Sequence, residues 1–266
     1  MPPGVDLGPL LDAAFTEPER LGQTYAVVVV HRGRLVAERY GGALPHFDRP
    51  PEPVTAQTPL LSWSIAKSML HAAVGLLVGD GLLATGGRAD VEWWQGPGDP
   101  RRAVTVEHLL AMRDGLDFVE DYVDDTRSDV IEMLFGSGRH DVARFAADRP
   151  LAAEPGRRFN YSSGTSNIVA AVMARLVGRG EDSRRFLVER LFGPVAMGSA
   201  APTFDEAGTW VASSYVHATA RDFARFGLLY LRDGVVDGRR LLPAGWVDHG
   251  RRPRSVDADG SIFGAH

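Results

Sequence analysis

Cysteine is absent from the 266 residues, which excludes a disulfide framework and any thiolate metal site. Lysine is almost absent: Lys67 is the only one among 29 basic residues, the rest being arginine. Long apolar runs are missing too. The most apolar stretch, 69–79, contains His71 and is too short to span a bilayer, so no membrane partner is expected. Met1-Pro2-Pro3-Gly4-Val5-Asp6 has neither the basic nor the apolar region of a secretion signal, so the cytoplasm is the expected compartment. A net charge of −5, with basic pairs such as Arg101–Arg102 and Arg251–Arg252 scattered, gives no footprint for nucleic acid. There is no Gly-x-Gly-x-x-Gly and no Walker sequence, hence no nucleotide site. The eight histidines lack metal-ligand spacing, and the acidic stretch Asp114–Asp125, with Asp124 and Asp125 among its carboxylates, lacks that of an EF-hand. Neither a metal nor a cofactor is expected.

What is present centres on Trp63-Ser64-Ile65-Ala66-Lys67-Ser68-Met69-Leu70. Arginine keeps its proton at neutral pH, whereas a desolvated lysine can lose one. A chain that uses arginine nearly everywhere keeps one lysine, three residues after a serine, in an apolar run. Ile65, Met69, Ala72, Ala73, Leu76 and Leu77 recur at the spacing of a buried helix over 64–80. Ser64 stands at its start and Lys67 one turn on, on the same face. Free N–H groups and the positive end of the helix dipole beside Ser64 favour an oxyanion, and burial lowers the lysine pKa. A serine deprotonated by a neutral amine is the chemistry this arrangement suits. Taken alone, the pair reads equally as an N-cap serine with a snorkelling lysine.

A serine–lysine pair needs a group that returns a proton to the leaving group. In Pro155-Gly156-Arg157-Arg158-Phe159-Asn160-Tyr161-Ser162-Ser163, a turn and a short extended piece place Tyr161 just before a helix over 163–177. A tyrosine beside an ammonium can serve as acid or base. Ser163 could hydrogen-bond the lysine or the substrate, or act as that helix's N-cap.

Elsewhere the pattern predicts a helix over 7–15 and a hairpin with arms 24–31 and 34–40. The first arm is a continuous β-branched run, as in a strand covered on both faces. A crossing loop over 41–59 follows. Thr105 caps a helix through Met112, and further helices are expected at 128–135, 141–148 and 183–191. Trp93–Trp94, His108 and His217 read as packing or capping residues. The whole is expected to be one domain over 1–266, with sheet at about 1–60 and 196–266 and a mainly helical part at about 61–195.

Ser64-Ile65-Ala66-Lys67 with Tyr161-Ser162-Ser163 resembles the Ser-x-x-Lys and Tyr-x-Asn motifs of the class C β-lactamase-related serine hydrolases. Val106–Leu116 and Ala218–Gly227 resemble flanking helices of that family. Serine at 163, where class C β-lactamases carry asparagine, and a tyrosine in the acidic loop, Tyr122, bring the chain nearest the 6-aminohexanoate-dimer hydrolase/esterase branch. The resemblance implies an α/β (α+β) serine β-lactamase/transpeptidase-like fold: an antiparallel sheet flanked by helices, plus a mainly helical lobe. It implies a small amide or ester substrate, Ser64 as nucleophile, Lys67 as base, Tyr161 as acid/base, and Ser163 and Tyr122 as substrate-binding residues. A β-lactamase or D-alanyl-D-alanine carboxypeptidase, and a degenerate relative that binds without turnover, are the alternatives. The family's third motif, a Lys-Thr-Gly or His-x-Gly strand, is not found before Phe263-Gly264-Ala265-His266. The chain therefore reads as C-terminally truncated, and in this form is expected to be poorly soluble and nearly inactive.

Overall fold

The computed structural model describes residues 5–45, 50–123, 127–257 and 260–266. Asp124 and Asp125 of the acidic stretch, the first four residues, and 46–49 of the crossing loop lie outside them.

Helices α1 (Gly8–Thr16) and α2 (Pro18–Leu21) precede the hairpin of β1 (Ala26–His31) and β2 (Arg34–Tyr40). Its register runs from Ala26↔Tyr40 to His31↔Arg34, with a bulge between Val29 and Val30. Arg32 and Gly33 at the turn both have positive φ, 50° and 76°, the backbone a two-residue hairpin loop requires. Every residue of β1 is only half-buried, so the expected cover on both faces is not found. Among the described residues the hairpin forms a two-stranded sheet by itself, with Val28, Val30 and Leu35 turned toward Ala224 and Leu228.

A two-residue pair, β3 (Ala43–Leu44) with β4 (Glu52–Pro53), fills part of the crossing loop. Next, β5 (Leu60–Leu61) leads into α3 (Ile65–Gly79). The middle of the chain carries α4 (Val106–Leu110), α5 (Asp129–Phe135), α6 (Val142–Ala147), α7 (Ser163–Val177) and α8 (Glu181–Leu187). Helix α8 starts two residues before the expected 183 and gives way to a π-helical turn over Val188–Phe192 instead of running on to 191. The caps are those that side-chain chemistry favours: Thr105, Ser128, Asp141 and Ser162 each accept a backbone N–H of the first turn. His108 completes a capping box on Thr105.

The last part supplies β6 (Ala201–Pro202), β7 (Val216–Ala218), α9 (Ala220–Leu231), the pair β8 (Val235–Val236) and β9 (Arg239–Arg240), α10 (Trp246–Arg251), and a pair of β10 (Ser255–Val256) and β11 (Ile262–Phe263). Strand β7 lies between β5 and β6, antiparallel to both, with Leu61↔His217 and Ala201↔His217 in register. His217 projects into solvent from β7, so it neither caps a helix nor joins the core.

The core is built on α3 and α7. Met69, Leu70 and Leu77 on α3 and Ile168 and Met173 on α7 are buried, each side chain stabilising the fold by roughly 1.5–3 kcal/mol. Small residues let neighbours approach closely. A Cβ at Gly164 would lie 2.6 Å from the Phe118 ring, and one at Gly75 would lie 2.4 Å from Nε1 of Trp246. That indole donates to the carbonyl of His71 (3.0 Å) and packs 4.6 Å from both the His71 and His249 rings, which are themselves stacked 5.4 Å apart. Trp94 is buried and bonds the carbonyl of Ala147 (2.9 Å), with Trp93 packed partly against the same core.

Candidate active site

Ser64 is reached through a strained bend. Trp63, between β5 and α3, has φ of +44°, a conformation costly for a bulky side chain. The bend is held from below: Ser62 Oγ donates to the carbonyl of Ser214 (2.9 Å) and accepts from Val216 N (3.1 Å), fastening it to β7. Ser64 then occupies the N-cap position of α3 without capping it. Its carbonyl accepts from Lys67 N (3.1 Å), while its own N–H has no protein acceptor among the described residues. The result is an exposed hydroxyl beside a free N–H at the positive end of a fifteen-residue helix.

Lys67 is buried, 3% exposed, and its Nζ reaches three acceptors: Ser64 Oγ (3.1 Å), Ser163 Oγ (3.1 Å) and the carbonyl of Ser213 (2.9 Å). Loss of hydration lowers its pKa to about 8, with the Glu120 carboxylate opposing the shift. The Nζ also lies 5.0 Å from the centre of the Tyr161 ring. Ser213 is held in turn by Asn167 of α7, whose Oδ1 accepts its N–H (3.1 Å).

The tyrosine comes from the segment before α7. Asn160 bonds Met112 O through its N–H (2.9 Å) and Phe118 O through its side chain (2.8 Å). So anchored, Tyr161 donates its hydroxyl to Ser64 Oγ (2.9 Å) and rests its ring near Phe263 of β11, centroids 5.9 Å apart. Burial raises the Tyr161 pKa, a hydrogen bond with Ser64 pulls it down, and Glu120 adds to the rise. The α7 cap is Ser162, not Ser163. With Ser162 bonding Thr165 N (3.0 Å), the Ser163 hydroxyl one residue on is free to face Lys67.

Ser64, Lys67, Tyr161 and Ser163 are thus joined in one hydrogen-bonded group. Tyr122 meets it at Ser163, whose hydroxyl lies within hydrogen-bonding reach of the Tyr122 hydroxyl. Its exposed ring stands to one side, and its hydroxyl donates to Glu120 Oε1 (3.0 Å). Sequence reasoning passed over Glu120 itself. Its two oxygens accept the Ser163 hydroxyl (2.9 Å) and the Ser163 N–H. The loop that carries it is set by Asp129 at the start of α5, which accepts Val119 N (2.8 Å). It is set also by Asp114, which bonds Leu116 N (2.7 Å) and the Thr165 hydroxyl. In sequence Glu120 was one carboxylate of an acidic run, and the absence of EF-hand spacing was the only signal there. Among the described residues no three His, Asp or Glu side chains converge as a metal site, and no helix is long and apolar enough to cross a membrane.

A serine, a buried lysine one helical turn later and a tyrosine hydroxyl on the serine oxygen invite comparison with known families. The pattern of the Beta-lactamase family matches residues 16–265. The chain belongs to that family. Its members are serine hydrolases of the β-lactamase and penicillin-binding-protein type. Among curated proteins, a 6-aminohexanoate-dimer hydrolase of Paenarthrobacter ureafaciens is 27% identical over 254 residues, which cover 90% of this chain and 61% of that protein. The chain thus spans about three fifths of the length of that relative. Among solved structures, a Bacillus anthracis protein provisionally described as a 6-aminohexanoate-dimer hydrolase superposes with a TM-score of 0.76 at 22% identity, covering 98% of this chain and 66% of the other. A penicillin-binding protein from Bacillus halodurans gives a TM-score of 0.70 at 18% identity, covering 90% and 78%. A D-amino acid amidase from Ochrobactrum anthropi SV3 gives 0.60 at 20%, covering 86% and 68%. These likenesses show the serine β-lactamase/transpeptidase-like fold.

Proposed function

We propose that this protein hydrolyses small amides or esters through an acyl-enzyme on Ser64. The observation that carries the reading is the position of Ser64 Oγ between the Lys67 amine (3.1 Å) and the Tyr161 hydroxyl (2.9 Å). With Lys67 neutral, its lone pair takes the Ser64 proton as Oγ attacks the substrate carbonyl. The oxyanion forms beside the free Ser64 N–H, a type of donor whose loss costs about 2.7–4 kcal/mol. Tyr161 protonates the departing amine or alkoxide and recovers a proton from the Lys67 ammonium. Water, deprotonated by the same pair, then attacks the acyl carbonyl, releasing the acid and restoring Ser64. Ser163 and Tyr122 flank the acyl portion of the substrate.

The relatives' names, a 6-aminohexanoate-dimer hydrolase and a D-amino acid amidase, support linear amides as substrates, and the serine at 163 argues against penicillins. A fluorophosphonate probe tests the nucleophile: labelling is expected on the wild type and lost in Ser64→Ala and Lys67→Arg. Probe-inert wild-type protein would favour a relative that binds without turnover. Turnover of p-nitrophenyl esters and 6-aminohexanoate dimer should exceed that of a cephalosporin. The reverse order would move the chain to the β-lactamase branch.

A further inference from the structure

Glu120 lies beside the catalytic group, yet the nucleophile, base and acid above leave it unused. In a chain so rich in arginine, carboxylates usually meet a guanidinium: Glu38 meets Arg221, Asp80 meets Arg190, and Asp129 meets Arg127 and Arg149. Glu120 meets none among the described residues. Its hydrogen-bond partners are neutral: the Ser163 hydroxyl and N–H, and the Tyr122 hydroxyl. The cation nearest along this network is Lys67, one serine away through Ser163 Oγ. Two carboxylate oxygens offer about four acceptor positions and these partners fill three, so one remains for a further donor. Glu120 is only half-buried, and the exposed Tyr122 ring beside it lines an approach from solvent.

The state of Lys67 completes the argument. Ser64 Oγ, Ser163 Oγ and the Ser213 carbonyl can take the three N–H groups of the ammonium, and Ser64 can instead donate its proton to the lone pair of the neutral amine. Near neutral pH, below its pKa of about 8, Lys67 is mostly the ammonium, the form that cannot take the Ser64 proton. Glu120 is the anion that favours it. Tyr161 and Tyr122 face the same space as neutral phenols, and His266 on the C-terminal segment is neutral above its pKa of about 4.

We propose that Glu120 selects acyl donors that carry an ammonium group, and that docking this group on Glu120 cancels the counter-charge holding the proton on Lys67, so that the correct substrate arms the base. This rests on the serine hydrolase reading and adds to it a substrate feature and a coupling between recognition and chemistry. A neutral acyl donor would bind the same cleft with Lys67 still charged. The transfer is balanced: Lys67 releases its proton to solvent as the substrate ammonium enters, and the site's net charge is unchanged.

Lys67 being the only lysine, the coupling can be read without turnover. Carbon-13 at the lysine Cε gives one side-chain resonance whose pH titration belongs to Lys67 alone. In a Ser64→Ala background, glycinamide, 4-aminobutanamide and 6-aminohexanamide are added, each against its amine-free counterpart: acetamide, butanamide and hexanamide. At least one ammonium amide should lower the Lys67 midpoint by about one pH unit or more, and its counterpart should not. Glu120→Gln should lower the midpoint without ligand and abolish the difference within each pair. A midpoint indifferent to all the ammonium amides, or equal shifts from both members of each pair, would overturn the proposal even if Glu120→Gln failed to fold. An unmoved midpoint in folded Glu120→Gln would do the same. Probe labelling of Ser64 in the wild type reports separately on the hydrolase reading, so the two failures are distinguishable.

Discussion

At Lys67 an ammonium is taken out of water, which makes its proton easy to lose even with three uncharged acceptors around it. The consequences for rate and for stability run in the same direction. The proposed hydrolysis requires the neutral amine, so kcat/KM should climb with pH and reach half its plateau near pH 8, where Lys67 of the free protein titrates. Below pH 8 the folded and unfolded chains both hold that proton, and burial of the charge destabilises the fold. Between about 8 and the ordinary lysine value of about 10.4, the folded chain has released it while the unfolded chain has not, so stability rises with pH. The gain should approach about 3 kcal/mol between pH 7 and pH 10.5. Urea unfolding at the two pH values would measure it, and Lys67→Met should flatten the Lys67 part of the slope. Tyr161→Phe isolates the hydroxyl. It keeps the ring against Phe263 and removes the bond to Ser64 Oγ, and turnover should fall about 10²–10⁴-fold with unfolding unchanged to within about 1 kcal/mol.

Helix α3 places Ser64 and Lys67 one turn apart, and its far end is pinned by the Trp246 indole packed on Gly75. Gly75→Ala should gain up to about 1 kcal/mol in helix propensity and lose about 1–3 kcal/mol by pushing the indole off His71 O. A lower thermal midpoint with loss of the Trp246–His71 packing is the expected net result. Much at this scale was legible from the chain. Apolar spacing outlined α3, and side-chain acceptors at Thr105, Ser128 and Asp141 marked helix starts, because both signals are local. The Ser64–Lys67 pair was visible for the same reason, as a fixed spacing on a helix. What escaped is tertiary. Ser213 acts through its carbonyl, which any residue there could offer, and Glu120 acquires its place from Ser163, 43 residues away. The β-branched run of β1 pointed to cover on both faces, yet β-branching reports a fit to a pleated surface and not how many layers lie over it. Ser162 and Ser163 are both good caps, and only the backbone geometry decides between them.

Over the whole molecule, the hairpin of β1 and β2 stands as a sheet of its own. Among the described residues no third strand joins either outer edge, and half-buried valines lie along β1. Rows of free N–H and C=O groups on such edges template pairing between copies. This 266-residue chain should therefore self-associate with rising concentration, as static light scattering would report. Val29→Lys, placing a charge on that strand, should reduce the association.

The hydrogen bonds of the proposed catalytic group join positions far apart along the chain: 96 residues from Lys67 to Ser163, 97 from Ser64 to Tyr161 and 146 from Lys67 to Ser213. Closing loops of that size is slow compared with winding helices, whose contacts lie within a turn. Time therefore separates the two events. A refolding chain should recover its helical circular dichroism before any probe reactivity at Ser64. During that interval α3 already exists, with its serine and lysine one turn apart and nothing yet in place to turn them into a nucleophile and a base.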